Sequence, residues 1–184
     1  MKMFSVAAVL LLSACSGTVA VNYYQLPAIT SASVQTKADK SFYIAPVEVA
    51  SYLNGRGLVL QLSDIELNMA RQHLWAEPVA QQVQRQLREL LASQLPYKAQ
   101  LSANAADIVV SVQLDRFHGT HDGLAVLSGR YQLSQQKNSE AFSLKVPLAD
   151  DGYPALVKAL NLGLEQLSQQ IGQQISTADE RSGD

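Results

Sequence analysis

The chain has 184 residues, of which 47% are hydrophobic and 16% are charged. This length and composition are typical of one globular domain with a single core, and they exclude a disordered chain or a fibrous repeat. A formal net charge of −2 also excludes a nucleic-acid-binding protein, because such proteins need a basic surface to neutralise phosphates.

The first residues have the features of an export signal. Lys2 precedes the apolar run 3–12, which has the length of a signal-peptide core and is far shorter than the roughly 20 residues of a membrane-spanning helix. We therefore predict that residues 1–14 are a signal peptide that is removed, and that the mature chain is exported.

The end of this signal, Leu12-Ser13-Ala14-Cys15, resembles the bacterial lipobox. The resemblance implies that the Cys15 thiol carries a diacylglyceryl group, that cleavage occurs before Cys15, and that the new amino terminus is acylated. No cofactor other than this covalent lipid is expected, and two or more acyl chains give stable anchoring. The alternative is a structural thiol near an ordinary cleavage site, although a lone cysteine in an exported protein has no disulfide partner.

The residues after Cys15 indicate which membrane holds the anchor. In lipoproteins of this kind an aspartate after the cysteine usually retains the protein at the inner membrane. Ser16 stands there instead, which implies the outer membrane and its periplasmic face. We predict that residues 15–20 form a short lipidated tether, so the domain begins within about 20 Å of the anchor.

A single domain is predicted over residues 21–176, beginning with four strands. The run Asp64–Ala70 places Ile65, Leu67 and Met69 on one face, the alternation typical of a half-buried strand. Pro46 cannot donate a ladder hydrogen bond and indicates an edge or a bulge. The four predicted strands are Val21–Pro27, Phe42–Leu53, Leu58–Leu62 and Asp64–Ala70, with a loop at 28–41.

Two amphipathic helices and a three-strand antiparallel meander are predicted next. The first helix lies within Trp75–Pro96, with Pro78 in its first turn, a glutamine-rich polar face and an apolar stripe of Val79, Val83, Leu87, Leu90 and Leu91. The meander has strands at Asp107–Phe117, Gly123–Leu133 and Ala141–Leu148. The last helix begins within Asp150–Leu160 and runs through Ile175, and residues 177–184 are a polar tail.

These elements predict an α+β fold, a mainly antiparallel sheet with two amphipathic helices packed on one face. The other face is polar, so it is either solvated or meets another protein. Its side chains are those of Ser111, Gln113, Asp115, Ser128, Arg130, Gln132, Ser143 and Lys145.

One cluster has the composition of a metal site. His118, His121 and Asp122 offer imidazole and carboxylate ligands that suit zinc or copper, but Asp122 followed by glycine already accounts for a hairpin turn there. We predict no metal site and no catalytic residues. Asp64 and Glu66 are interpreted as part of a solvated strand face, and no serine lies in a nucleophile elbow.

Three residues are candidates for contacting a partner: Trp75, Arg56 and Tyr52. Tryptophan is enriched at binding hot spots, yet the position of Trp75 just before a helix favours a packing role over a partner contact.

The chain resembles the PqiC-type (paraquat-inducible) auxiliary lipoproteins of ABC-type lipid transport systems. The family's F-x-G-x-x-D-G stretch fits Phe117, Gly119, Asp122 and Gly123, with the histidines in its open positions, which further weakens the metal hypothesis. The segments that carry the resemblance, in order after the lipobox, are NYYQLP, VEVASYLNGRGLVLQLSD, LWAEPVAQQ, LASQLP, FHGTHDG, LSG and DGYPALVKAL.

The resemblance implies a subunit of a system that moves lipid between two membranes. Its expected partners are a tube-forming MCE (mammalian cell entry) protein and a polytopic inner-membrane protein, with several copies of the chain forming a docking ring that supports membrane integrity. A domain of this size is about 40 Å across, too small to bridge a periplasm alone. The alternatives are a barrel-associated assembly lipoprotein, as in lipopolysaccharide export, and a periplasmic metal-dependent hydrolase using His118, His121 and Asp122.

Overall fold

The computed structural model describes residues 20–29 and 39–182. The predicted signal peptide and the lipidation site Cys15 lie outside these residues. The described part contains the strands β1 Asn22–Tyr24, β2 Ser41–Ile44, β3 Glu48–Val49, β4 Gly57–Gln61, β5 Leu67–Trp75, β6 Lys98–Ala99, β7 Ile108–Thr120, β8 Leu124–Leu133 and β9 Glu140–Pro147, and the helices α1 Val79–Gln94 and α2 Tyr153–Ser182.

The longest strand, β7, organises the sheet. Along one side it pairs antiparallel with β8, which in turn pairs with β9. Along its other side lie β2, β3 and β4, one after another and all parallel to β7. Beyond β4 come β5 and then β1, so the order from that edge is β1-β5-β4-β7-β8-β9, while β6 pairs with β2.

The α+β class is confirmed, but the sheet is mixed, whereas we predicted a mainly antiparallel one. The difference arises because α1 carries the chain from the end of β5 back to the start of β7, so β7 runs in the same direction as β2, β3 and β4. Together β5 and α1 form the long crossover connection that parallel neighbours such as β4 and β7 require. The predicted meander of β7, β8 and β9 is antiparallel throughout.

Pro46 divides the strand that was predicted for Phe42–Leu53. The chain forms β2 before Pro46 and β3 after it, and then a 3-10 turn over Ser51–Asn54. Both short strands pair with β7, but Ile44 is opposite Val110 and Glu48 is opposite Gln113, so four residue steps here face three in β7. This extra residue is the bulge that Pro46 indicated, and it divides the predicted strand in two.

The strand predicted at Asp64–Ala70 is displaced toward the carboxyl terminus. The structure places β5 at Leu67–Trp75, with Ile65 in the turn that joins it to β4. Ile65, Leu67 and Met69 are all exposed, so the apolar alternation that indicated a half-buried strand belongs to a hairpin that projects from the core.

The two helices lie together on one face of the sheet, over a single core. The predicted stripe of α1 is buried in full, and α2 buries Leu156, Leu160, Leu164, Leu167, Ile171 and Ile175, as predicted. The helix α2 continues to Ser182, so residues 177–182 are helical where we predicted a tail. No helix within the described ranges is long and apolar enough to cross a membrane.

Substitutions of the two buried glycines of α2 test how closely this helix packs on the sheet. A Cβ atom at Gly163 would lie 2.4 Å from Leu127 Cδ1, whereas the nearest atom to a Cβ at Gly172 is 3.6 Å away. We expect Gly163→Ala to lower the free energy of unfolding by about 1–3 kcal/mol through overpacking. Gly172→Ala, the matched control, should raise it by up to about 1 kcal/mol, because alanine favours helix. Urea denaturation measures both, and equal effects would contradict the close approach at Gly163.

Candidate functional site

The segment that follows the predicted tether is built into the edge of the sheet. Strand β1 pairs in parallel with the end of β5, with Asn22 opposite His73 and Tyr24 opposite Trp75. The Ala76 N–H donates to the Tyr24 carbonyl over 2.7 Å. The chain is therefore fixed to the domain seven residues after Cys15.

Aromatic side chains attach the same edge to α2. The Tyr24 hydroxyl lies 2.9 Å from His73 Nδ1, and the His73 ring stacks on Tyr153 with 4.1 Å between ring centroids. Because Tyr153 is the first residue of α2, this cluster joins β1, β5 and the helix layer.

Two buried glutamines of α1 hold the chain just after β1. Gln82 Oε1 accepts the Leu26 N–H over 2.9 Å, and its amide group donates to the Glu77 carbonyl. The Gln86 amide group donates to the Pro27 carbonyl over 3.1 Å. An unpaired buried amide or carbonyl is costly, so this pairing specifies the path of the chain.

A glutamine-rich polar face was predicted for α1, yet two of the glutamines of this helix lie on its buried side. Gln82 and Gln86 are both buried. They are four residues apart and adjoin Val83 and Leu87 of the apolar stripe, and this position on the helix was the signal that could have identified them.

The interface between the helices also contains polar pairs. Gln86 donates to Asn161 Oδ1, and Gln94 Nε2 donates to the Ser168 hydroxyl over 2.9 Å. Asn161 in turn donates to Glu165 Oε1. Gln86 therefore links three parts of the molecule, namely the segment after β1, α1 and α2.

The three candidate partner-binding residues do not form one surface. Trp75 is only 3% exposed and packs near Phe117, which is the packing role that its position favoured. Arg56 is exposed on the other side of the same strand pair, where its carbonyl accepts the Trp75 N–H and its guanidinium lies over the Tyr23 ring. Tyr52 lies in the 3-10 turn and donates to the Asp115 carbonyl.

The candidate metal ligands are also separated. His118 is 2% exposed, whereas His121 and Asp122 are exposed, and within the described ranges no three His, Cys, Asp or Glu side chains come together as a metal site requires. Burial lowers the pKa of His118, outweighing a hydrogen bond to the Gly119 carbonyl that raises it. His118 lies beside the Tyr52 ring, so its surroundings are those of a packed side chain.

The polar face of the sheet contains a groove of ≈ 560 Å³. One wall is the interruption at Pro46, and the other is formed by outward-facing side chains of β7 and β8, including Gln113, Arg130 and Gln132. Arg130 Nε donates to the Ser139 hydroxyl over 2.9 Å. This groove lies on the face predicted to be either solvated or in contact with another protein.

The hairpin between β4 and β5 exposes four large apolar side chains, those of Leu62, Ile65, Leu67 and Met69. Its turn is closed by hydrogen bonds from the Leu62 N–H to the Glu66 carbonyl, over 2.9 Å, and from the Glu66 N–H to the Ser63 carbonyl. The turn therefore has a defined shape that presents Ile65, which is 97% exposed.

Comparisons with known proteins agree with this structure. The model of a family described as "ABC-type transport auxiliary lipoprotein component" matches residues 24–172. The intermembrane transport lipoproteins PqiC of Escherichia coli K12 and of Shigella flexneri are each 33% identical over 177 residues, covering 93% of this chain and 95% of theirs.

Two crystal structures share the fold. One, of an uncharacterized protein, has a TM-score of 0.76 at 33% identity and covers 85% of this chain and 99% of its own. The other, of a Xanthomonas campestris protein, has a TM-score of 0.67 at 15% identity and covers 89% of this chain and 100% of its own. The second likeness shows the fold alone.

Replacing Gln82 tests how the segment after β1 is held. In Gln82→Ala the Leu26 N–H loses its acceptor, and we expect its hydrogen exchange to accelerate at least about tenfold, since an unpaired buried donor costs about 1–3 kcal/mol. Gln81→Ala changes an exposed glutamine one residue away and should leave that rate unchanged. Equal exchange rates of the Leu26 amide in the two variants would contradict the assignment.

The low pKa of His118 predicts a stability that depends on pH. Above pH 7 the ring is neutral in both the folded and unfolded states; as pH falls toward 5, the unfolded state takes up a proton that the folded state resists, so stability falls. We expect His118→Gln to remove this component of the decline, while His121→Gln, which changes an exposed ring, retains it. Urea denaturation of the three proteins at pH 7 and pH 5 measures the difference.

Proposed function

Because the chain belongs to the family of ABC-type transport auxiliary lipoproteins, we propose that it is a non-catalytic adaptor of an intermembrane lipid transport system, held by the lipidated Cys15 on the periplasmic face of the outer membrane. The observation that carries this proposal is the fixation of the segment after the anchor. Strand β1 pairs with β5 from the seventh residue after Cys15, and α1 binds the chain just after β1, so the anchor would position the whole domain at the membrane surface.

A domain held at the membrane surface in this way can act across the periplasm only through partner proteins. We propose three: an MCE protein that forms a tube across the periplasm, a polytopic inner-membrane protein of the same system, and further copies of this chain that form a ring at the end of the tube. The name of the PqiC relatives, which describes intermembrane transport, supports a role of this kind. The polar face with its groove at Arg130 offers surface for a protein contact.

Two substitutions test the anchor and its membrane. We expect Cys15→Ser to move the protein from the membrane fraction to the soluble periplasmic fraction, because no acyl chain is attached. Ser16→Asp keeps the cysteine and should shift the protein from the outer-membrane to the inner-membrane fraction on a sucrose gradient. Ser16→Thr is the control and should stay with the outer membrane. An unchanged distribution of Ser16→Asp would contradict the outer-membrane assignment.

A capture experiment tests the adaptor role. The Cys15→Ser protein, immobilised through a carboxyl-terminal tag, should retain the periplasmic part of an MCE protein from the same organism, and an unrelated periplasmic protein should not be retained. Stable capture of an outer-membrane β-barrel in place of the MCE protein would favour the barrel-associated alternative. Failure to retain the MCE protein at any salt concentration would overturn the adaptor proposal.

A further inference from the structure

The hairpin between β4 and β5 has features of a membrane-contacting element. Leu67 and Met69 lie on one face of the hairpin and are 36% and 47% exposed, although Val59 of β4, which is opposite Met69, is buried. Ile65 projects from the tip with almost all of its surface exposed. Exposed apolar clusters of this kind mark surfaces that meet a protein or a membrane.

The register of β1 on β5 places this hairpin on the anchored side of the molecule. Because β1 runs parallel to β5, the amino-terminal end of β1 at Asn22 is directed toward the hairpin tip. Asn22 is opposite His73, and Cys15 precedes Asn22 by the same seven residues by which Glu66 precedes His73.

The connecting chain is long enough to bring Cys15 and the hairpin tip to one bilayer. Seven extended residues reach at most about 25 Å. Between Met69 and Leu74, β5 has three residues more than the facing part of β4, so the distance along the sheet from His73 to the tip is about 15 Å. Cys15 can therefore reach the level of the tip without a fully extended connection.

We propose that the hairpin tip, Leu62–Leu67 with Ile65 at its apex, dips into the surface of the bilayer that carries the lipidated Cys15. This inference rests on the proposed function in one respect, the lipid on Cys15. The hairpin and the anchor then form two separate points of membrane contact, which restrict the tilt of the domain. One lipid-linked point at the end of a tether would leave the tilt free.

The charges of the hairpin tip indicate which kind of lipid surface it can enter. Asp64 and Glu66 flank Ile65, and all three are exposed. Carboxylates disfavour an anionic surface and restrict the insertion to the headgroup boundary, as in interfacial elements that bury their apolar side by about 5–10 Å. The occupant is therefore a zwitterionic lipid surface, such as one rich in phosphatidylethanolamine.

The lone cysteine makes a site-specific test possible. Since the Cys15 thiol carries the lipid, Ile65→Cys in the full lipidated protein introduces a single reactive thiol for an environment-sensitive fluorophore. The matched control is Leu101→Cys. Leu101 is also a large exposed apolar residue, at 82%, and it follows β6 near the start of β7, whereas the hairpin adjoins the end of β7 at Thr120.

Both labelled proteins are reconstituted into phosphatidylethanolamine–phosphatidylcholine vesicles. We expect the label at position 65 to increase in fluorescence at least about twofold, to be quenched by brominated acyl chains and to resist aqueous iodide, while the label at position 101 behaves as in water. The increase at position 65 should be smaller in vesicles rich in phosphatidylglycerol at low salt, because Asp64 and Glu66 are repelled.

The other outcomes are separable. Iodide quenching at position 65 equal to that at position 101 would overturn the proposal. Protection from iodide without quenching by brominated lipid would also overturn it and would indicate a protein cover, such as a second copy of the chain. Absence of the protein from the floated vesicles, or labelling of Cys15 itself, would overturn the lipid anchor and with it the proposed function, whatever the hairpin does.

Discussion

The continuous ladder of β7 is the constraint on which the rest of the structure depends. Its thirteen residues pair with β8 on one side and, on the other, with three short strands that have no partner in common except β7. Without this strand the segments before α1 would have no common register. Because β7 spans about 40 Å, it also separates the molecule into two ends, one with Leu101 and the other with the hairpin.

A bulge in β7 changes which residues face the helices. Up to Leu114 the even-numbered residues are buried, but the register with β8 shifts between Leu114 and Arg116. Beyond the shift, Phe117 and Gly119 face the helix layer, where Gly119 lies against Leu156. His118 is thereby directed to the opposite face, beside Tyr52. One extra residue in one strand accounts for this reversal and keeps His118 apart from the exposed His121.

Local sequence patterns predicted most of the helices and strands. The predictions that failed concern features that depend on long-range strand pairing. The stripes of both helices and the meander could be predicted, because burial imposes the periods of 3.6 and 2 on the sequence. The parallel pairing could not, since it depends on how α1 returns the chain. For the candidate site, Trp75 was a candidate for a partner contact although its position favoured packing, and it is buried. The buried pairing of Gln82 was missed because the glutamines were interpreted by type and not by their place on the helix. Likewise Ile65 follows a strand-like alternation and yet lies in a turn.

The positions of the hairpin and of the polar groove along β7 would orient the domain relative to the membrane. The hairpin adjoins Thr120 at one end of β7, and the groove is lined by Gln113, seven residues earlier on the same strand. That separation is about 23 Å along β7. With the hairpin at the membrane, the groove would lie at this distance from the bilayer on the polar face of the sheet, where a partner arriving across the periplasm could reach it. Gln82 and Gln86 would connect the two proposed contacts mechanically, because they fix the segment after β1 to the helix layer that supports the sheet.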